Sequence, residues 1–167
     1  MRSNKIFYLM LYSFYLICTN GCVNVEIGKN NSVRSTSVRF NEPNEPFKEA
    51  KSGYLDRAWK NTNDGSTISY LSDCYGKTDP SLEQIFKEAT SPVREQHLIQ
   101  QHQIEYNERA ALHSVVEGVI DGVLTRYELV IFKKNHCNYI LAYAATAESY
   151  ATHQREFSQF VKGFKVK

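Results

Sequence analysis

Residues 109–145 admit very few folds. Apolar and polar side chains alternate along 109–119, again along 123–133, and again along 137–145. A period of two sends successive side chains to opposite faces of a strand. Asp121-Gly122 stands between the first two runs, and Lys134-Asn135-His136 between the last two. Asp-Gly suits a two-residue hairpin, because both central residues of a type I′ turn need positive φ. The segment is expected to form a three-stranded antiparallel meander. Its middle run carries apolar residues in both phases, Val130 and Phe132 against Leu129 and Ile131. A sheet wetted on one side has no use for that pattern, so helices are expected on both faces.

Two helices are available to cover it. Asp79-Pro80 suits a helix start, with Asp79 as cap and Pro80 in the first turn. Leu82, Ile85, Phe86 and Ala89 then form one apolar stripe before Ser91-Pro92 ends it. The second helix, about 148–163, aligns Phe157, Phe160, Val161 and Phe164, with Tyr150 further back and Gly163 as terminator. Other strands are expected at 54–61, returning through Asn63-Asp64-Gly65 as 66–74, and at 98–106. A short helix over Leu55, Ala58 and Trp59 is the alternative for the first of these. Residues 37–40 suit a short edge strand. The sum is an α+β domain over residues 38–167, an antiparallel sheet of five to seven strands covered by helices. The polar stretch 22–37, rich in Asn, Ser, Glu and Lys, has too little apolar surface to order itself and is expected to be a tether.

At the amino end, Arg2 and Lys5 precede an apolar run over 6–18. That is the length of a secretory signal core and short of the roughly 20 residues that span a bilayer. The segment resembles a bacterial lipoprotein signal, with Thr19-Asn20-Gly21-Cys22 in the lipobox position and Thr19 where Leu is usual. The resemblance implies a signal peptide over residues 1–21 and a lipid anchor on Cys22. Val23 follows rather than Asp, which points to the outer membrane, facing the periplasm. Removing residues 1–21 takes two of the 20 basic residues and none of the 18 acidic ones. The mature chain is then formally neutral, without the basic stripe that phosphate binding needs, so nucleic acid is not expected as a partner.

Of the four cysteines, export discards Cys18 and acylates Cys22, leaving Cys74 and Cys137 in an oxidising compartment. A disulfide between them is expected, the alternative being two free buried thiols acting as small hydrophobes. Neither sits beside a histidine-paired nucleophile motif.

The order of elements resembles the PsbP-like superfamily, and more closely a group of bacterial envelope lipoproteins with that fold. The pieces that carry the resemblance are Gly65-Ser66-Thr67-Ile68, Asn107 to His113, Glu117 to Val123, Lys133 to Tyr139 and Phe157 to Phe164. They are turn, hairpin and packing signatures. The resemblance implies a PsbP-like α/β/α sandwich, the Cys74–Cys137 pair and a role in docking partners, and it carries over no metal site.

Residue types that do chemistry are scattered. His97, His102, His113, His136 and His153 show no metal-binding spacing, and His97 and His102 would point to opposite faces of a strand. His113 is expected to be a satisfied sheet-face residue. Glu83, Glu88 and Glu95 look solvated, Asp121 serves a turn, and no nucleophile elbow, phosphate loop or dinucleotide fingerprint occurs. No cofactor or metal is expected. Eleven tyrosines are present, and Tyr70, Tyr139 and Tyr143 could pack in the core or form an aromatic binding patch. The expected function is that of a non-catalytic lipoprotein, held to the membrane through Cys22, that binds an envelope protein partner. A carrier with a deep apolar cavity and an envelope hydrolase are the alternatives.

Overall fold

The computed structural model describes residues 33–76 and 78–167. In chain order these form β1 (Val38–Arg39), β2 (Phe47–Ala50), β3 (Arg57–Asn61), β4 (Thr67–Cys74), α1 (Leu82–Ala89), β5 (Arg94–Tyr106), β6 (Arg109–Ile120), β7 (Val123–Lys134), β8 (Cys137–Thr146), α2 (Tyr150–Gly163) and β9 (Lys165–Val166). Seven strands make one antiparallel sheet in the order β2-β3-β4-β8-β7-β6-β5, within the expected range of five to seven. Neither helix is long and apolar enough to cross a membrane.

Tight turns set the register. The expected three-stranded meander is a four-stranded one, because Asn107-Glu108 also turns the chain, between β5 and β6. Asn107 and Glu108 have φ of 51° and 62°, Asp121 and Gly122 49° and 82°, and Asn135 and His136 53° and 61°. Paired left-handed residues match the right-handed twist of the strands they join.

Both faces of the sheet are covered, as the two-phase pattern of β7 requires. On one face, Phe157 and Phe160 of α2 and the following Phe164 pack on Val130, Phe132, Tyr139, Leu141 and Tyr143. On the other, α1 sets Leu82, Ile85 and Phe86 against Leu112, Leu129, Ile131 and Ile140. Phe157, Phe160 and Phe164 are at most 1% exposed, so truncating any one to Ala costs about 3–5 kcal/mol. Gly118 serves the α1 face: a Cβ there would lie 2.5 Å from Val93 Cγ1 and 2.6 Å from the Arg94 carbonyl oxygen. Only a bare backbone lets the chain leaving α1 cross β6 so closely.

Several boundaries differ from expectation. Ser81 caps α1, its Oγ accepting from the Gln84 N–H at 3.1 Å. Asp79, the expected cap, pairs with Lys133 instead. The short β1 is not an edge of the main sheet. It pairs with β9, Val38 opposite Val166, as a separate ribbon, and the edge position goes to β2. Residues 33–37, assigned by composition to the tether, are bound to the domain. Val33 bridges Cys74, and Arg34 donates to the carbonyls of Ser72 at 2.6 Å and Tyr54 at 2.7 Å. Polar residues dock here through hydrogen bonds, which a count of apolar side chains does not register.

Candidate functional site

Cys22 lies outside the described residues. Cys74 and Cys137 are joined by a disulfide, placed where the register sets them opposite each other at the ends of β4 and β8.

Tyr70, Tyr139 and Tyr143 do not form an exposed patch. Tyr70, Tyr139 and Tyr143 are 5%, 0% and 0% exposed, in the core beneath α2. They occupy the even phase of β4 and the odd phase of β8, which face the helix. Tyr139 donates to Ser35 Oγ at 2.8 Å and Tyr143 to the Tyr150 carbonyl at 3.0 Å. Burial pushes the Tyr70 and Tyr143 phenols up to about 12. These buried rings, with the hydroxyls of Tyr139 and Tyr143 bonded, are core material here.

The polar groups that do converge were not legible as a cluster in the chain order. Glu128, on β7, is 5% exposed, and its carboxylate accepts from His113 Nε2 at 2.8 Å, Tyr150 Oη at 2.5 Å and Gln154 Nε2 at 3.1 Å. Burial opposes its ionisation, but the hydrogen bonds from His113, Tyr150 and Gln154 and the nearby imidazole outweigh that and hold the carboxyl below its ordinary range. Burial and the contact with Glu128 push the Tyr150 phenol upward. Outside this group, Arg126 lies 5.2 Å over the Tyr150 ring and donates to Glu117 Oε2 at 2.6 and 3.1 Å. His113 is thus satisfied on the sheet face, as expected. Its second nitrogen, Nδ1, stands 3.3 Å from Nε2 of His102.

A bulge makes this meeting possible. The β5–β6 register shifts between Leu98 and Gln100, so His97 pairs with Glu117 and His102 with His113. One extra residue reverses the side-chain alternation. His97 and His102 therefore share a face, contrary to the simple alternating expectation.

No serine, threonine or cysteine is a hydrogen-bond partner of His102 or His113 among the described residues. A nucleophile–base arrangement of the kind a hydrolase uses is not assembled at this cluster. Clefts lie elsewhere. One of about 780 Å³ sits at the β7–β8 turn, lined by Tyr75, Asp79, Arg109, Lys133, Lys134 and His136. A smaller one of about 330 Å³ runs between α1 and the sheet, past Leu71, Pro80, Ile85, Ala89 and Ile140.

Among the described residues, the large exposed apolar side chains fall into two groups towards opposite ends of the sheet. Val33, Tyr54 and Tyr75, at 52%, 74% and 72% exposure, flank the point where the chain joins the domain. Leu98 and Ile99 on β5, with Val123 and Leu124 at the β6–β7 hairpin, are 44–50% exposed towards the far end.

This arrangement, a seven-stranded antiparallel sheet between two helices, is a PsbP-like fold. The chain is similar to the solution structure of the cyanobacterial PsbP protein CyanoP from Synechocystis sp. PCC 6803, with a TM-score of 0.58 and 11% identity, over 89% of this chain and 99% of that one. It is also similar to LpqN, involved in cell envelope biogenesis of Mycobacterium tuberculosis, with a TM-score of 0.59 and 10% identity, over 83% of this chain and 87% of that one. No protein-family model and no curated protein sequence matches the chain. At these identities the likeness is one of fold, and no residue role passes across it.

Proposed function

We propose that the chain is an envelope lipoprotein anchored through Cys22, whose domain is a non-catalytic accessory module that docks a protein partner at the end of the sheet remote from the anchor. The observation that carries this reading is polarity of layout. The chain enters at Val33 beside Cys74, and β9 lies next to the Asn107 turn, where Val166 N–H donates to Asn107 Oδ1 at 2.9 Å. Both ends of the domain are therefore at one pole. The Asp121-Gly122 hairpin is at the other, a full strand length of about 40 Å away for twelve residues at 3.4 Å each. A lipid at Cys22 would hold the molecule by the first pole and leave Leu98, Ile99, Val123 and Leu124 facing away from the bilayer. Val123 and Leu124 point to opposite faces of the hairpin, so the partner in this reading grips its tip from both sides. The involvement of the similarly folded LpqN in cell envelope biogenesis supports an envelope setting.

The test has two parts. The full chain, expressed in its own cells, should carry a diacylglyceryl group on Cys22 and fractionate with membranes, and Cys22→Ser should release it. A photo-crosslinker at position 124 should then join the anchored protein to one discrete partner, and Val123→Lys with Leu98→Lys should abolish that product without lowering Tm. An intact Met1 with unmodified Cys22 overturns the anchor. Crosslinks that survive both lysines overturn the docking surface.

A further inference from the structure

The geometry points to a transition-metal site on the outer edge of the sheet, with His102 Nε2 and His113 Nδ1 as its two protein ligands. Two observations converge on it. The first is the bite. Two imidazole nitrogens bound at 2.0–2.1 Å to a tetrahedral ion are about 3.3 Å apart. His102 Nε2 and His113 Nδ1 are 3.3 Å apart, on neighbouring strands whose register fixes them opposite each other.

The second is the carboxylate behind His113. His113 Nε2 lies 2.8 Å from Glu128 Oε1, and a ring that donates there turns the lone pair of Nδ1 towards His102. Metal-binding histidines are oriented in just this way, donating the far N–H to a carboxylate.

Among the described residues, no three His, Cys, Asp or Glu side chains converge on a single point. The remaining positions on the ion therefore fall to water, which exposed His102 admits. Two imidazoles and water suit Zn²⁺, Ni²⁺ or Cu²⁺, with Cu²⁺ held most tightly, and do not suit Mg²⁺ or Ca²⁺. Glu128 is a positioning residue, acting through His113.

The experiment is titration of the metal-stripped full chain in detergent with Zn²⁺ and Cu²⁺, followed by calorimetry and by electron paramagnetic resonance of the copper form. One equivalent should bind, with two imidazole nitrogens in the copper spectrum. His102→Ala, an exposed substitution that leaves the core intact, should weaken binding at least tenfold, whereas His97→Ala and His153→Ala should not. Glu128→Gln should weaken it about 10–100-fold and shift the His113 tautomer seen in nitrogen chemical shifts. Absence of saturable binding, or binding that survives His102→Ala, overturns the site.

Discussion

Breaking the Cys74–Cys137 bond should cost the domain about 4 kcal/mol, a large part of the 5–15 kcal/mol typical of a domain. The magnitude comes from the 63-residue separation of the two cysteines. Opening a loop of that length returns roughly 14 cal/mol/K to the unfolded chain. The folded state has little to lose. Cys74 and Cys137 are 4% and 7% exposed, the space suits small apolar groups, and β4 and β8 remain paired from Thr67–Ala144 to Cys74–Cys137. The assay is urea unfolding of the oxidised protein, of the same protein in reductant, and of Cys74→Ala with Cys137→Ala. With a slope of about 2 kcal/mol per molar urea, the midpoint should fall by roughly 2 M in both altered forms. A loss under about 1 kcal/mol with both thiols shown to be free would refute the loop argument. Two titratable thiols in protein taken from the envelope would refute the bond itself.

Other expectations concern single positions. Glu128 has a lowered folded pKa, so its contribution is fully present above the ordinary 4.5 and is lost as the pH falls through the lower folded value. Wild-type and Glu128→Gln stabilities should therefore converge on acidification below 4.5, and a constant difference measured down to pH 2 would disprove it. Gly118→Ala forces a methyl onto Val93 and the Arg94 backbone and should cost roughly 1–3 kcal/mol in thermal unfolding. His136→Gly relieves a left-handed residue at φ 61° and should raise stability by about 0.5 kcal/mol after the added freedom of the unfolded chain, seen as a small rise in Tm.

The legible parts of this chain were those where one physical signal ran uninterrupted. Asp121-Gly122 announced its hairpin because glycine and aspartate are chemically suited to positive φ, and the stripe from Leu82 to Ala89 announced α1. Asn107-Glu108 turns equally tightly, but glutamate has no intrinsic preference for that conformation, and the surrounding sheet imposes it. Glu128 looked like one more polar residue in an alternating strand. It is buried because α2 brings Tyr150 and Gln154 down upon it, a fact held in tertiary packing alone. The meeting of His102 with His113 depends on the irregularity between Leu98 and Gln100, and a strict period of two predicts the wrong face. Tyr70, Tyr139 and Tyr143 were ambiguous between core and patch until α2 was placed over them.

The bridge from Val33 to Cys74 has a mechanical meaning. Force applied to the chain ahead of Val33 enters through the Cys74 N–H bond to the Val33 carbonyl, at 2.9 Å, and the Arg34 clamp on Ser72. It therefore arrives on β4 in the interior of the sheet, at the residue that is itself tied covalently to β8, instead of at the short outer strand β2. Peeling from the border inward is not available to such a load, and the first bond to resist it beyond those contacts is sulfur to sulfur. A pull on the amino end of the domain thus meets the sheet where it is covalently reinforced.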